Sequence, residues 1–143
     1  METLYEQDFN AWLQQQTNLL RLEKFTELDT DNLIEELESM SKSDQRELIS
    51  RLAVLLAHML KLVHQPERRS RSWIATIVTQ RNSVQLLLEQ SPSLQYDIEK
   101  CLSNAYVTAK RIAAAETGLN IKTFPELCPW TLQQILDNDF IPG

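Results

Sequence analysis

Glycine is almost missing from this chain: Gly118 and Gly143 are the only two among 143 residues. Tight turns between strands usually need glycine, so the scarcity argues for helices. Cysteine is as rare. Cys101 and Cys128 have no C-x-x-C spacing and are read as reduced thiols. No apolar run approaches the roughly 18 residues of a membrane span. The longest, Leu52 to Val63, is broken by His58 and Lys61. The opening METLYEQDFN is acidic and lacks the apolar stretch of a secretory signal. A soluble, cytoplasmic protein with no membrane segment is therefore expected.

What is present is ordinary globular material, with 43% hydrophobic and 24% charged residues. The length suits one domain, residues 1–143, large enough to bury roughly 70% of its unfolded surface without a metal or disulfide. The net charge of −6 is unevenly spread. Residues 1–45 hold three basic and eleven acidic residues, residues 46–81 seven and two, and residues 82–143 four and seven. The +5 middle can attract nucleic acid locally, or it can pack against the acidic first third.

Taken in order, Glu6–Leu22 carries Phe9, Trp12, Leu13, Leu19 and Leu20 at helical spacing, with Asp8 in its first turn. Glu23–Leu28 is a connector. Asp29 or Asp31 can cap a second helix whose stripe is Leu33, Ile34, Leu37 and Met40. Glu36 and Glu38 fall on the two flanks of that stripe, and Glu35 points away. Ser41–Asp44 reads as a break, with Ser43 capping a wide-striped, central helix that runs to about His64.

Pro66 stops that helix, and Glu67–Arg71 forms a basic corner. Ser70 or Ser72 can cap the next helix, 72–90, with Trp73, Ile77, Val84, Leu87 and Leu88 on its apolar side. Ser91-Pro92 starts a helix over 92–117 with an alanine-rich seam. Gly118 is its left-handed stop. In the tail, Thr131–Leu136 is a short helix, and Phe124, Trp130, Ile135 and Phe140 tie it to the rest. The fold class expected is all-α, a bundle of about five or six helices with the proline-containing tail packed on it.

Several stretches carry a pattern more specific than helical periodicity. They are Tyr5-x-x-Asp8-Phe9-x-x-Trp12, Leu28-Asp29-x-x-Asn32-Leu33-Ile34-Glu35-Glu36, His58-x-Leu60-Lys61 and Gln65-Pro66. Further stretches are Arg69-Ser70-x-Ser72-Trp73-x-x-Thr76-Ile77-x-x-Gln80-Arg81, Pro92-Ser93-Leu94, Glu116-Thr117-Gly118-Leu119 and Phe124-Pro125-x-x-Cys128-Pro129. Together these resemble the family filed as domain of unknown function 29, small helical proteins found mainly in cyanobacteria; the resemblance implies an all-helical domain of about this length and carries no activity with it.

Four chemistries can be weighed. Helical di-metal proteins need Glu-x-x-His pairs, and none occurs; His58 and His64 lie about 240° apart round a helix. No metal or other cofactor is therefore expected. Arg51 and His58 resemble the Arg-x4–6-His signature of HEPN ribonucleases, but Leu52 stands where a polar residue usually follows the arginine. Arg68, Arg69 and Arg71 beside Trp73 suit phosphate and base contacts, although Trp73 lies on a core stripe. Nucleophilic catalysis has no support: no histidine stands near either cysteine, and there is neither a G-x-S-x-G nor a glycine-rich loop.

The reading that remains is a protein-interaction or regulatory module without catalytic activity. Its partner is another protein, and a homodimer is open. The alternative is a nucleic-acid-binding protein or HEPN-like nuclease using the Arg and His residues around 51–81. Internally, Glu36, Arg51, His58, Gln80 and Arg81 are expected to form one central polar network with charge-assisted hydrogen bonds.

Overall fold

The computed structural model describes residues 2–143, and among these there are helices and turns but no strand. The expected all-α class holds. The described residues form two compact units, one ending at Lys42 and the other Ser43–Gly143.

The first unit opens with α1 (Leu4–Gln7) and α2 (Phe9–Arg21). These replace the single helix expected over 6–22. Asp8 separates them because its backbone is non-helical (φ −150°, ψ 89°) and its carboxylate accepts from the Ala11 N–H at 3.0 Å. Asp8 is thus a cap, not a first-turn residue. Glu23 follows α2 in the left-handed region (φ 58°), where a residue with a Cβ is strained. A 3-10 turn, Phe25–Glu27, then leads to α3 (Thr30–His64).

Helix α3 has no break at Ser41–Asp44. Serine and aspartate are weak helix formers, yet the penalty is only a few tenths of a kcal/mol per residue. No glycine or proline stands there to interrupt the ladder. Ser43 therefore continues a helix instead of capping one.

The second unit holds the core. Leu48, Leu52, Leu55, Leu56, Met59, Leu60 and Leu62 of α3 are all buried, as the wide stripe predicts for a central helix. Ile77, Val84 and Leu88 of α4 (Arg71–Gln90) join them. Ser70 caps α4, its Oγ accepting from the Trp73 N–H at 3.3 Å. Ser91-Pro92 does start the next helical stretch, but as a 3-10 segment, Pro92–Asp97, ahead of α5 (Ile98–Thr117). Ala105, Ala109 and Ala113 recur at every fourth position of α5 with no exposed surface, so their neighbours approach closely. Gly118 ends α5 at φ 77°. A Cβ there would meet nothing within 4 Å, so glycine is needed for its backbone and not for space. Thr131 and Gln134 form a capping box for α6 (Leu132–Leu136). Phe124 and Ile135 are buried, and Trp130 and Phe140 pack against the same core.

Candidate functional site

Within the first unit, Asp29 is the hub. Its carboxylate Oδ2 accepts from Trp12 Nε1 at 2.9 Å and Asn32 Nδ2 at 2.8 Å, and its N–H donates to Gln16 Oε1 at 2.8 Å. The bonds from Asn32 and Trp12 hold the Asp29 carboxyl below its usual range. Tyr5 donates its hydroxyl to Glu36, and that bond to an acid raises the phenol to about 12. The Tyr5, Phe9 and Trp12 rings lie against one another, with Tyr5 and Trp12 edge to face at 4.7 Å.

Around this hub little is covered. Trp12 is the one buried apolar side chain of the unit among the described residues. Among the described residues, nine of the sixteen exposed large apolar side chains belong to it, although it has fewer than a third of the residues. On α3, Ile34, Leu37 and Met40 form an open row; Leu37 is 64% and Met40 66% exposed. Glu38 is exposed on one flank, and Glu36, held by Tyr5, is on the other. The unit holds ten acidic and three basic residues up to Lys42. None of its acids is in an ion pair, because the ion pairs among the described residues are Arg51–Glu47 and Lys61–Glu116.

Of the expected network of Glu36, Arg51, His58, Gln80 and Arg81, the last four lie in the second unit, and there they do not gather into one cluster. Glu36 takes its bond from Tyr5. Arg51 and Gln80 do meet: Arg51 Nη1 donates to Gln80 Oε1 at 3.4 Å, while Arg51 Nε pairs with Glu47 one turn earlier at 3.1 Å. That pair lies at the surface, where a local i,i+4 partner satisfies the guanidinium. His58 Nδ1 donates to the Val54 carbonyl at 2.9 Å, a bond within its own helix. Burial, and after it Lys61, lowers its pKa, against the Val54 carbonyl and Glu116. The recess of about 180 Å³ beside Arg51 is lined by Glu47, Ser83, Leu86, Leu87 and Gln90 and does not include His58.

Arg81 is buried, at 1% exposure, and its partners are carbonyls. Nε donates to Ile135 O at 2.7 Å and Nη2 to Gln134 O at 3.4 Å, so the guanidinium caps the C-terminal end of α6. Burial lowers its pKa, and Asp137 opposes that shift. A helix end offers several free carbonyls to a planar donor, and the sequence pattern gives no hint of which helix end is near.

One arrangement was not anticipated. Lys61, 5% exposed, donates to Glu116 Oε2 at 2.7 Å and lies 4.6 Å from the centre of the Trp73 ring. Gln65 reaches the Thr117 carbonyl at 3.4 Å beside it. The available signal was the lysine interrupting the Leu52–Val63 apolar run: a buried cation needs a partner. This use of Trp73, half-buried under Lys61, removes it from base stacking.

Arg68, Arg69 and Arg71 are exposed and make no ion pair or side-chain hydrogen bond among the described residues. They cap no helix end. Arg69, Ser70, Arg71 and Ile74 line an open recess of about 470 Å³. Cys128 packs under the tail, its thiol 3.5 Å from the Trp130 carbonyl, and burial pushes the Cys101 and Cys128 thiols up, away from the nucleophilic thiolate. Among the described residues, no three His, Cys, Asp or Glu side chains gather to hold a metal, and no helix is long and apolar enough to cross a membrane.

The family model described as "Domain of unknown function DUF29" matches residues 4–141. No curated protein and no solved structure matches the chain.

Proposed function

We propose, from the premise that the chain belongs to the DUF29 family, that it is a non-catalytic protein-interaction module whose recognition element is its first unit. The observation that carries this reading is the concentration of exposed apolar side chains there: among the described residues nine of sixteen, around one buried tryptophan. Large apolar side chains left in water on one small unit mark a surface that another molecule covers. The free thiols of Cys101 and Cys128 agree with a reducing cytosol as its place of action.

A photo-crosslinking residue at position 37 tests it, with position 96 as control, since Tyr96 is 89% exposed but lies in the second unit. In the native cell, discrete adducts are expected from position 37 and not from 96. Equal labelling from both positions would contradict the proposal.

The exposed, unpaired Arg68, Arg69 and Arg71 support a second reading, contact with nucleic-acid phosphates. It expects RNA binding that falls as salt rises and weakens on Arg69→Ala. Binding unchanged by that substitution would end it.

A further inference from the structure

We infer that the partner of the first unit is a basic amphipathic helix, seated along the row Ile34, Leu37 and Met40 of α3. This inference rests on the interaction reading above and adds the chemistry of the occupant. The row is one side chain every three residues, about 9 Å long at the rise of an α-helix. Side chains spaced this way form the ridge that packs into the groove of a second helix.

The charge selects which helix. The unit carries ten acids against three bases, and among the described residues no acid of the unit is in an ion pair. Glu38 stands exposed on the open flank of the row. A helix with an apolar seam and lysine or arginine beside it meets both features. The same unit of a second copy would bring like charge against like charge, which disfavours a symmetric dimer through this face. The shortage of buried apolar surface gives the occupant a further effect. With Trp12 its one buried apolar side chain among the described residues, the unit adds apolar burial when the row is covered, so binding should also order it.

The test uses the full chain and two labelled helical peptides with the same leucine seam, one flanked by lysine and the other by glutamate. The lysine-flanked peptide should bind, more weakly as salt rises, and should slow amide exchange in residues 30–42. Leu37→Glu should weaken it by at least about tenfold. Leu37 is largely in water, so this variant folds. Glu38→Lys should weaken the lysine peptide and improve the glutamate one. Equal binding of both peptides would overturn the basic helix while leaving an interaction surface in place. A concentration-dependent dimer abolished by Leu37→Glu would assign the face to a second copy and also overturn it. No binding by either peptide, together with no adduct from position 37, would remove the interaction reading itself.

Discussion

The two units of this chain hold themselves together by different means. The second keeps twenty-one buried apolar side chains in one core cluster, and the first keeps Trp12. The first unit relies instead on directional bonds: Asp29 to Trp12, Gln16 and Asn32, and Tyr5 to Glu36. Apolar burial supplies most folding free energy, while a hydrogen bond exchanged with water adds only about 1 kcal/mol. A unit rich in the second kind of contact and poor in the first is defined in shape but weakly held. That combination suits a surface completed by something else.

The sharpest way to break the comparison is a matched pair of truncations on one helix. Leu56→Ala, in the core, should lower global stability by about 2–5 kcal/mol. Leu37→Ala on the open row should change it by less than about 0.5 kcal/mol. Denaturant unfolding measures both. A large loss at Leu37 would mean the row is already packed in the free protein.

Next in size is the ion pair of the second unit. Glu116→Gln removes the acid and leaves the Lys61 ammonium buried, so a loss of about 1–3 kcal/mol is expected, reduced because Glu116 is itself half-exposed. Lys61→Met keeps the volume and removes the charge, and it should be milder. A thermal melt ranks them, and the reverse order would show that the Trp73 contact outweighs the charge pair.

The pH dependence separates the units in another way. The folded His58 has its pKa below the ordinary 6.5, so the unfolded chain binds the proton more readily. Stability of the second unit should therefore be full above about pH 6.5 and decline as the pH falls below it. His58→Gln should flatten that decline. Asp29, lowered in the first unit, works in the carboxylate range: its contribution is present above the ordinary 3.8 and is lost as pH falls below it. Melts of the two units between pH 7 and 3 should separate in that order.

The smallest effect belongs to Glu23. Glycine accepts the left-handed backbone there without strain, so Glu23→Gly should raise first-unit stability by about 0.5 kcal/mol. A loss would show that the Glu23 side chain makes a contact worth more than the strain.

Much of the second unit was legible in the sequence because its signals are local. Pro66 stops α3, Ser70, one of two serines offered, caps α4, and Gly118 ends α5, each through the backbone of its own neighbours. The apolar period of α3 also placed the core side correctly. What escaped depends on distant pairings. Arg81 was expected to meet a carboxylate and instead meets carbonyls more than fifty residues away. Lys61 finds Glu116 across a similar separation. Ser43 and Asp8 each carry a capping side chain, but only at Asp8 does the backbone leave the helix, and composition does not distinguish the two. The candidate surface is half legible: Leu33, Ile34, Leu37 and Met40 read as the apolar stripe of a helix, and the exposure of Ile34, Leu37 and Met40 shows only in three dimensions.

Native-state hydrogen exchange, residue by residue, tests the central claim most directly. If the first unit is held by few buried contacts, amides in Phe9–Arg21 and in residues 30–42 should exchange through local opening, at least about 2 kcal/mol below the openings that expose Leu52–Leu60. Equal protection in both units would show a first unit complete without a partner, and the recognition surface proposed for it would lose its ground.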